Sequence, residues 1–281
     1  MKHEDPHGFD GTQGGDWSQP QHPEDPWNQQ GYGQARHGQP QGRRSRGRFG
    51  RAHAVNPGAA AFAPSEERKA FIQRTYMHLA AAIFACVAMM SAFMMSPFYE
   101  PVMVAMVNTN WIFILVIFLG VSWVGDSMAR NSESRGLQYI GLLVSVGAYA
   151  IILALPVTLA AVQSGPQILI QALIVTGLTF GALTVAVLAS GKDFSILRNG
   201  LIVAGVLAFG AIAAGSIFGF SLGLGFFVFM VGLSVGMIVY QTSSVLHTYS
   251  TDNHVGAALA LFASIGMLFW YILSIFMSFD G

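Results

Sequence analysis

Seven stretches of this chain are apolar over the length of a membrane-crossing helix: roughly 71–95, 111–129, 137–162, 167–190, 199–219, 221–246 and 255–278. A span needs about 20 mostly apolar residues. The breaks between them are short and carry turn-forming text, such as "SPFYEP" after the first and "ASGKDFS" after the fourth. The pattern predicts an all-α protein, a seven-transmembrane-helix bundle over residues 69–281. Residues 1–68 contain no such run and form a separate amino-terminal tail.

One place departs from the pattern. "MIVYQTSSVLHTYSTDNHVGAALALF", Met237–Phe262, is apolar at both ends and spends its middle on Gln, Thr, Ser, His and Asp. A polar elbow thus joins the sixth and seventh spans.

The tail's text, "HGFDGTQGGDWSQPQHPEDPWNQQGYGQARHGQPQG", has little aliphatic content to bury and too much Gly, Gln and Pro to hold a helix. It is expected to be disordered. Without the apolar run of a secretory signal peptide, it is expected to be retained. Its run "RRSRGRFGR", Arg43 to Arg51, puts five Arg in nine residues. Attraction to anionic lipid accounts for such a cluster. No folded module or aromatic interleaving supports nucleic-acid binding, and none is expected.

Composition agrees: 53% of the residues are hydrophobic and 10% charged, against about 25% charged in soluble domains. The charges that remain in the body are informative. Its Lys and Arg residues (Arg68, Lys69, Arg74, Arg130, Arg135, Lys192 and Arg198) all fall on one side of a seven-span topology. Because Lys and Arg are enriched in cytoplasmic loops, the amino terminus is predicted inside and the carboxyl terminus outside. The polar elbow is then cytoplasmic.

Several patterns invite chemistry. "GLSVG", 232–236, matches the nucleophile elbow of hydrolases. That chemistry needs a strained strand-to-helix turn, a His and an acid, whereas Ser234 falls in mid-helix, where its hydroxyl can bond the preceding turn. No enzyme activity is expected. The eight His residues show no metal-ligand spacing, and neither a metal nor another cofactor is expected. Cys86 stands alone. Gly215/Gly219 and Gly232/Gly236 are small residues one turn apart, read as helix-packing positions. Arg74 and His78 share a face of the first span, and Asp126 lies about one turn from the end of the second. Ionisable groups at that depth usually pair inside the bundle or snorkel to the interface. Arg74 and Asp126 enter from the same side and are candidates for such a pair.

The text from Val239 to Phe276, "VYQTSSVLHTYSTDNHVGAALALFASIGMLFWYILSIF", resembles the last two helices of the Bax inhibitor/YccA-like family, the transmembrane Bax inhibitor motif proteins. "GKDFSIL" at 191–197, "FIQRTYMHLAAAIFA" at 71–85 and "SRGLQYIGL" at 134–142 are similar to other parts of the family, the last two to a bacterial branch. The resemblance implies a bundle with its last helix near the centre, in a bacterial inner membrane. It also implies a gate: relatives act as pH-sensitive calcium leaks through two Asp near the cytoplasmic ends of helices six and seven, with an Arg from helix two. Here Gln241 and Ser264 occupy the two Asp positions, and neither titrates near neutral pH. Arg130 is the loose match for the Arg. Other relatives bind a membrane protease or influence cell death.

Two functions follow as expectations. The missing carboxylates favour a multi-pass protein that acts on other membrane proteins, such as a membrane protease. The alternative is a calcium-permeable leak gated by Gln241 and Ser264, its pH dependence supplied by His78, His247 or Asp126.

Overall fold

The computed structural model describes residues 59–131 and 134–280. The tail's expected disorder and its Arg cluster lie outside the described residues. Eight helices follow a 3₁₀ turn at Ala60–Phe62: α1 Ser65–Met94, α2 Tyr99–Asn108, α3 Trp111–Ala129, α4 Arg135–Gln163, α5 Gln167–Ser190, α6 Leu197–Phe218, α7 Leu224–His247 and α8 His254–Asp280. All except α2 are long and apolar enough to cross a membrane. The all-α, seven-span expectation holds.

α2 is the element that hydropathy missed. Its ten residues rise only about 15 Å, too little to span. Pro101 is tolerated because it falls in the first turn, where amide N–H groups lack intrahelical partners anyway. Tyr99 Oη is 2.7 Å from Thr158 Oγ1, tying α2 to α4. α1 begins at Ser65, before the apolar run, because Glu66 and Glu67 in its first turn suit the positive end of the helix dipole.

Between lipid-embedded helices there is little hydrophobic driving force, so close packing of small residues decides who touches whom. α8 packs on α1, α3, α4, α5 and α7, and its stretch Gly256–Ala260 is buried throughout. Ala257 and Ala258 present no surface at all. The last helix is therefore central.

The tightest seam lies between α3 and α4, at Gly125 and Gly141. A Cβ on Gly141 would stand 2.5 Å from the Gly125 carbonyl oxygen and 2.5 Å from the Ala129 nitrogen. The glycine pairs read from the sequence behave differently. Gly219 ends α6 at φ 74°, a left-handed cap, and Gly232 has no neighbour that a Cβ would meet. Gly215 faces the Phe220 carbonyl just beyond its own helix, and Gly236 alone meets a neighbouring helix, at Leu201 of α6. Small residues one turn apart signal only that approach is permitted.

Every Lys and Arg among the described residues sits at one end of the bundle, where α1, α4, α6 and α8 start and α3, α5 and α7 finish. Contacts across that end hold the termini together: the Ala60 N–H donates to Tyr249 O at 3.0 Å, and the Phe194 N–H to Ser243 Oγ at 2.9 Å. This is the basic end. The polar elbow is mostly helix: Gln241, Thr242 and Ser243 lie in the last turns of α7, and only residues 248–253 form the connection to α8.

Candidate functional site

A cavity of about 330 Å³ opens among α3, α4, α7 and α8. It gathers Gln241 from α7 and Ser264 from α8, the two positions that the family resemblance singled out, with Asp126 and Arg130 from the end of α3. Ser122 of α3 and Ser145 and Tyr149 of α4 add to its polar lining.

Polar and apolar groups share this lining. Leu119 on α3, Met237 on α7 and Met267 on α8 border the same cavity with side chains that bind no water. Counted along each helix from the basic end, Ser145 and Ser264 lie as deep as Leu119 and Met237, while Asp126 and Arg130 lie nearest that end.

The partners differ from the expected ones. Asp126 Oδ2 pairs with Arg130 Nε at 2.7 Å, one helical turn along α3. Arg74 is not its partner; it is exposed on α1, and its carbonyl accepts the His78 Nδ1 proton at 2.7 Å. An i,i+4 acid–base pair forms within one helix without any tertiary demand, which is why Asp126 takes the nearer arginine. The Arg130 guanidinium also lies 5.7 Å from the Tyr249 ring centre. Burial pushes the Tyr249 phenol up in pKa while Arg130 pulls it down.

His78 and His247 stand outside this cavity. His78 Nε2 meets Tyr139 Oη at 3.1 Å, and its ring lies 4.8 Å from that of His254. Since Nδ1 donates to a carbonyl, the neutral ring accepts at Nε2. His247 donates from Nδ1 to Ser243 O at 3.0 Å and lines a different hollow. Of the three expected pH-sensing groups, the cavity holds Asp126 alone.

The oxygens of the lining are unevenly occupied. Ser264 Oγ donates to Ala260 O at 3.0 Å, whereas the Gln241 side chain makes no hydrogen bond among the described residues. Ser122 Oγ and Ser145 Oγ are buried without a partner. Unpaired hydroxyls in a roomy, polar cavity are sites for water. Sequence reasoning missed Ser145, although Gly141 and Ser145 form a small-xxx-small pair in α4. Tyr149 was missed too: it is wedged between Phe118 and Phe262, with centroid distances of 4.9 Å and 5.2 Å, and its hydroxyl reaches Ala263 O at 3.4 Å. Ser234 takes no part; its buried hydroxyl donates to Met230 O at 2.7 Å.

Arg130→Gln removes both the carboxylate pair and the ring contact. Both groups are partly exposed, so the expected loss is about 1 kcal/mol, read as a small fall in the denaturation midpoint of the purified protein. An unchanged midpoint would show the pair to be fully solvated.

Seven membrane-length helices among the described residues, six of them around the central α8, with a polar cavity at the basic end, define a multi-pass helical membrane protein. The family model described as "Inhibitor of apoptosis-promoting Bax1" matches residues 68–281, and the chain belongs to this Bax inhibitor family. An uncharacterized protein of Pseudomonas aeruginosa is 31% identical over 221 residues, 77% of this chain and 93% of that protein. An uncharacterized membrane protein of Vibrio cholerae is 34% identical over 118 residues, 41% of this chain and 52% of that protein.

Proposed function

We propose that this protein is a cation-permeable leak of a bacterial inner membrane, with calcium as the first candidate ion, and that the cavity is its closed mouth. The observation that carries the reading is the meeting of Gln241, Ser264, Asp126 and Arg130 in one cavity with two unpartnered serine hydroxyls. Neutral and carboxylate oxygens are hard ligands suited to calcium, and the apolar side chains of Leu119, Met237 and Met267 in the same lining can close a path by excluding water. Rearrangement of α3 against α7 and α8 would wet it.

The basic end is the cytoplasmic one in this reading, by the excess of Lys and Arg there. The amino terminus is then inside and the carboxyl terminus outside. The bacterial origin of both relatives supports an inner membrane and the YccA-like branch.

The test is calcium entry into dye-loaded vesicles of phosphatidylglycerol and phosphatidylcholine holding the full chain and no other protein. Flux well above that of protein-free vesicles is expected, with a severalfold drop in Gln241→Leu. Silence from folded protein overturns the leak. It would leave action on another membrane protein, such as a membrane protease, as the function to pursue by co-purification.

A further inference from the structure

A second hollow, of about 340 Å³, opens at the basic end between the 3₁₀ turn, α1, α5 and α7. It shares no lining residue with the cavity described above. Its walls are the aliphatic side chains of Ile72, Leu188 and Leu246, with Arg68 and His247 as its charged or titratable groups. It sits in the first turns of α1 and the last turns of α5 and α7, at the level where an apolar span meets headgroups.

Arg68 is available. It makes no ion pair among the described residues, since the nearby acid Glu66 is taken by Lys69 at 3.2 Å. A basic side chain beside helix carboxyl termini often serves their unpaired carbonyls, but no hydrogen bond joins the Arg68 side chain to a carbonyl of α5 or α7 among the described residues. Val187 O accepts from the Gly191 N–H at 3.2 Å and from Ser190 Oγ, and Ser244 O accepts from the N–H groups of Thr248 and Tyr249. Ser243 O takes the His247 Nδ1 proton. The guanidinium is left over from the helix-capping inventory.

One cation above three aliphatic walls is a poor site for free phosphate, which needs several donors. It matches a phosphodiester that carries an acyl chain, and basic pockets between transmembrane helices hold such headgroups. We propose that this hollow binds an anionic phospholipid, its phosphodiester on Arg68 and its first acyl carbons against Ile72, Leu188 and Leu246. His247 forms the polar wall beside the phosphate.

The experiment presents the detergent-purified full chain with phosphatidylglycerol or with phosphatidylcholine of the same acyl chains, and counts retained lipid by native mass spectrometry. Phosphatidylglycerol is expected to be held about fivefold more tightly, the worth of one basic contact at a membrane surface. Arg68→Gln is expected to erase that preference, while Arg198→Gln, an exposed arginine at the same end, keeps it. Equal retention of the two lipids by the native chain overturns the proposal, whatever the variant does. So does an Arg68→Gln chain that still prefers phosphatidylglycerol. Displacement of the lipid by equimolar inorganic phosphate would also overturn it, by making the site one for a free anion.

Discussion

Gly141→Ala is expected to cost the protein a large part of its stability. The added carbon would lie 2.5 Å from two backbone atoms of α3 and 2.8 Å from Met128 Cβ. Side chains can swing aside, but here backbone would have to move, and α3 and α4 would separate along their whole seam. Overpacking a well-filled site costs roughly 1–3 kcal/mol, occasionally more, and this substitution belongs at the top of that range. The check is the urea or detergent unfolding midpoint of the purified chain, with Gly232→Ala beside it. The second variant adds a carbon to a helix position with nothing within 4 Å and is expected to be neutral or to gain roughly 0.5 kcal/mol from reduced backbone freedom. Equal midpoints for the two variants would show that the α3–α4 contact is looser than its geometry.

Gln241→Asp combined with Ser264→Asp is expected to convert the mouth of the cavity into a pH-dependent calcium path. The two new carboxylates would join Asp126 in a space where Arg130 is the single lining cation. Neighbouring carboxylates raise one another's pKa because they cannot all ionise cheaply. At low pH protons hold the cluster neutral; as pH rises they leave, and the ionised oxygens attract calcium. Flux should then climb by up to about tenfold per pH unit on the acid side of the folded-state pKa.

Stability runs the other way. A carboxyl group whose folded pKa exceeds its unfolded value, about 3.9 for Asp, costs nothing below that pH and destabilises progressively as pH rises through the folded pKa. The double variant should therefore unfold more easily at pH 8 than at pH 6, and calcium should reverse the difference. Vesicle flux and unfolding midpoints at the two pH values check both halves. If the variant conducts equally at both, the substituted side chains do not share a site. If it conducts at neither while calcium still stabilises it at pH 8, the carboxylates meet without forming a path.

The seven spans were legible because a run of about 20 apolar residues has few other fates, and each predicted stretch overlaps a helix of the structure. α2 was hidden by its brevity and by a proline that seemed to forbid helix, although position in the first turn removes the objection. The convergence of Gln241 and Ser264 came from resemblance; hydropathy alone places them merely at the same end. What apolar periodicity cannot convey is rotation about each helix axis. Arg74 and Asp126 were matched by depth, yet they decorate different faces of the bundle, while the true partner of Asp126 lay four residues away in the text. Gly232 and Gly125 look alike in sequence, and only the neighbour across the gap makes one indispensable.

The central position of α8 bears on how the protein is made. This helix follows the other seven in chain order, so they reach the bilayer while the middle of their assembly is still missing. Until Val255, Ala257 and Ala258 arrive, the surfaces that α1, α4 and α7 turn towards α8 have no helix to pack against. The nascent chain passes through an unfinished bundle whose small-residue faces are still unpartnered, and stalled or prematurely ended translation would leave it there. Of the described helices, the one made last is the one that the others pack around.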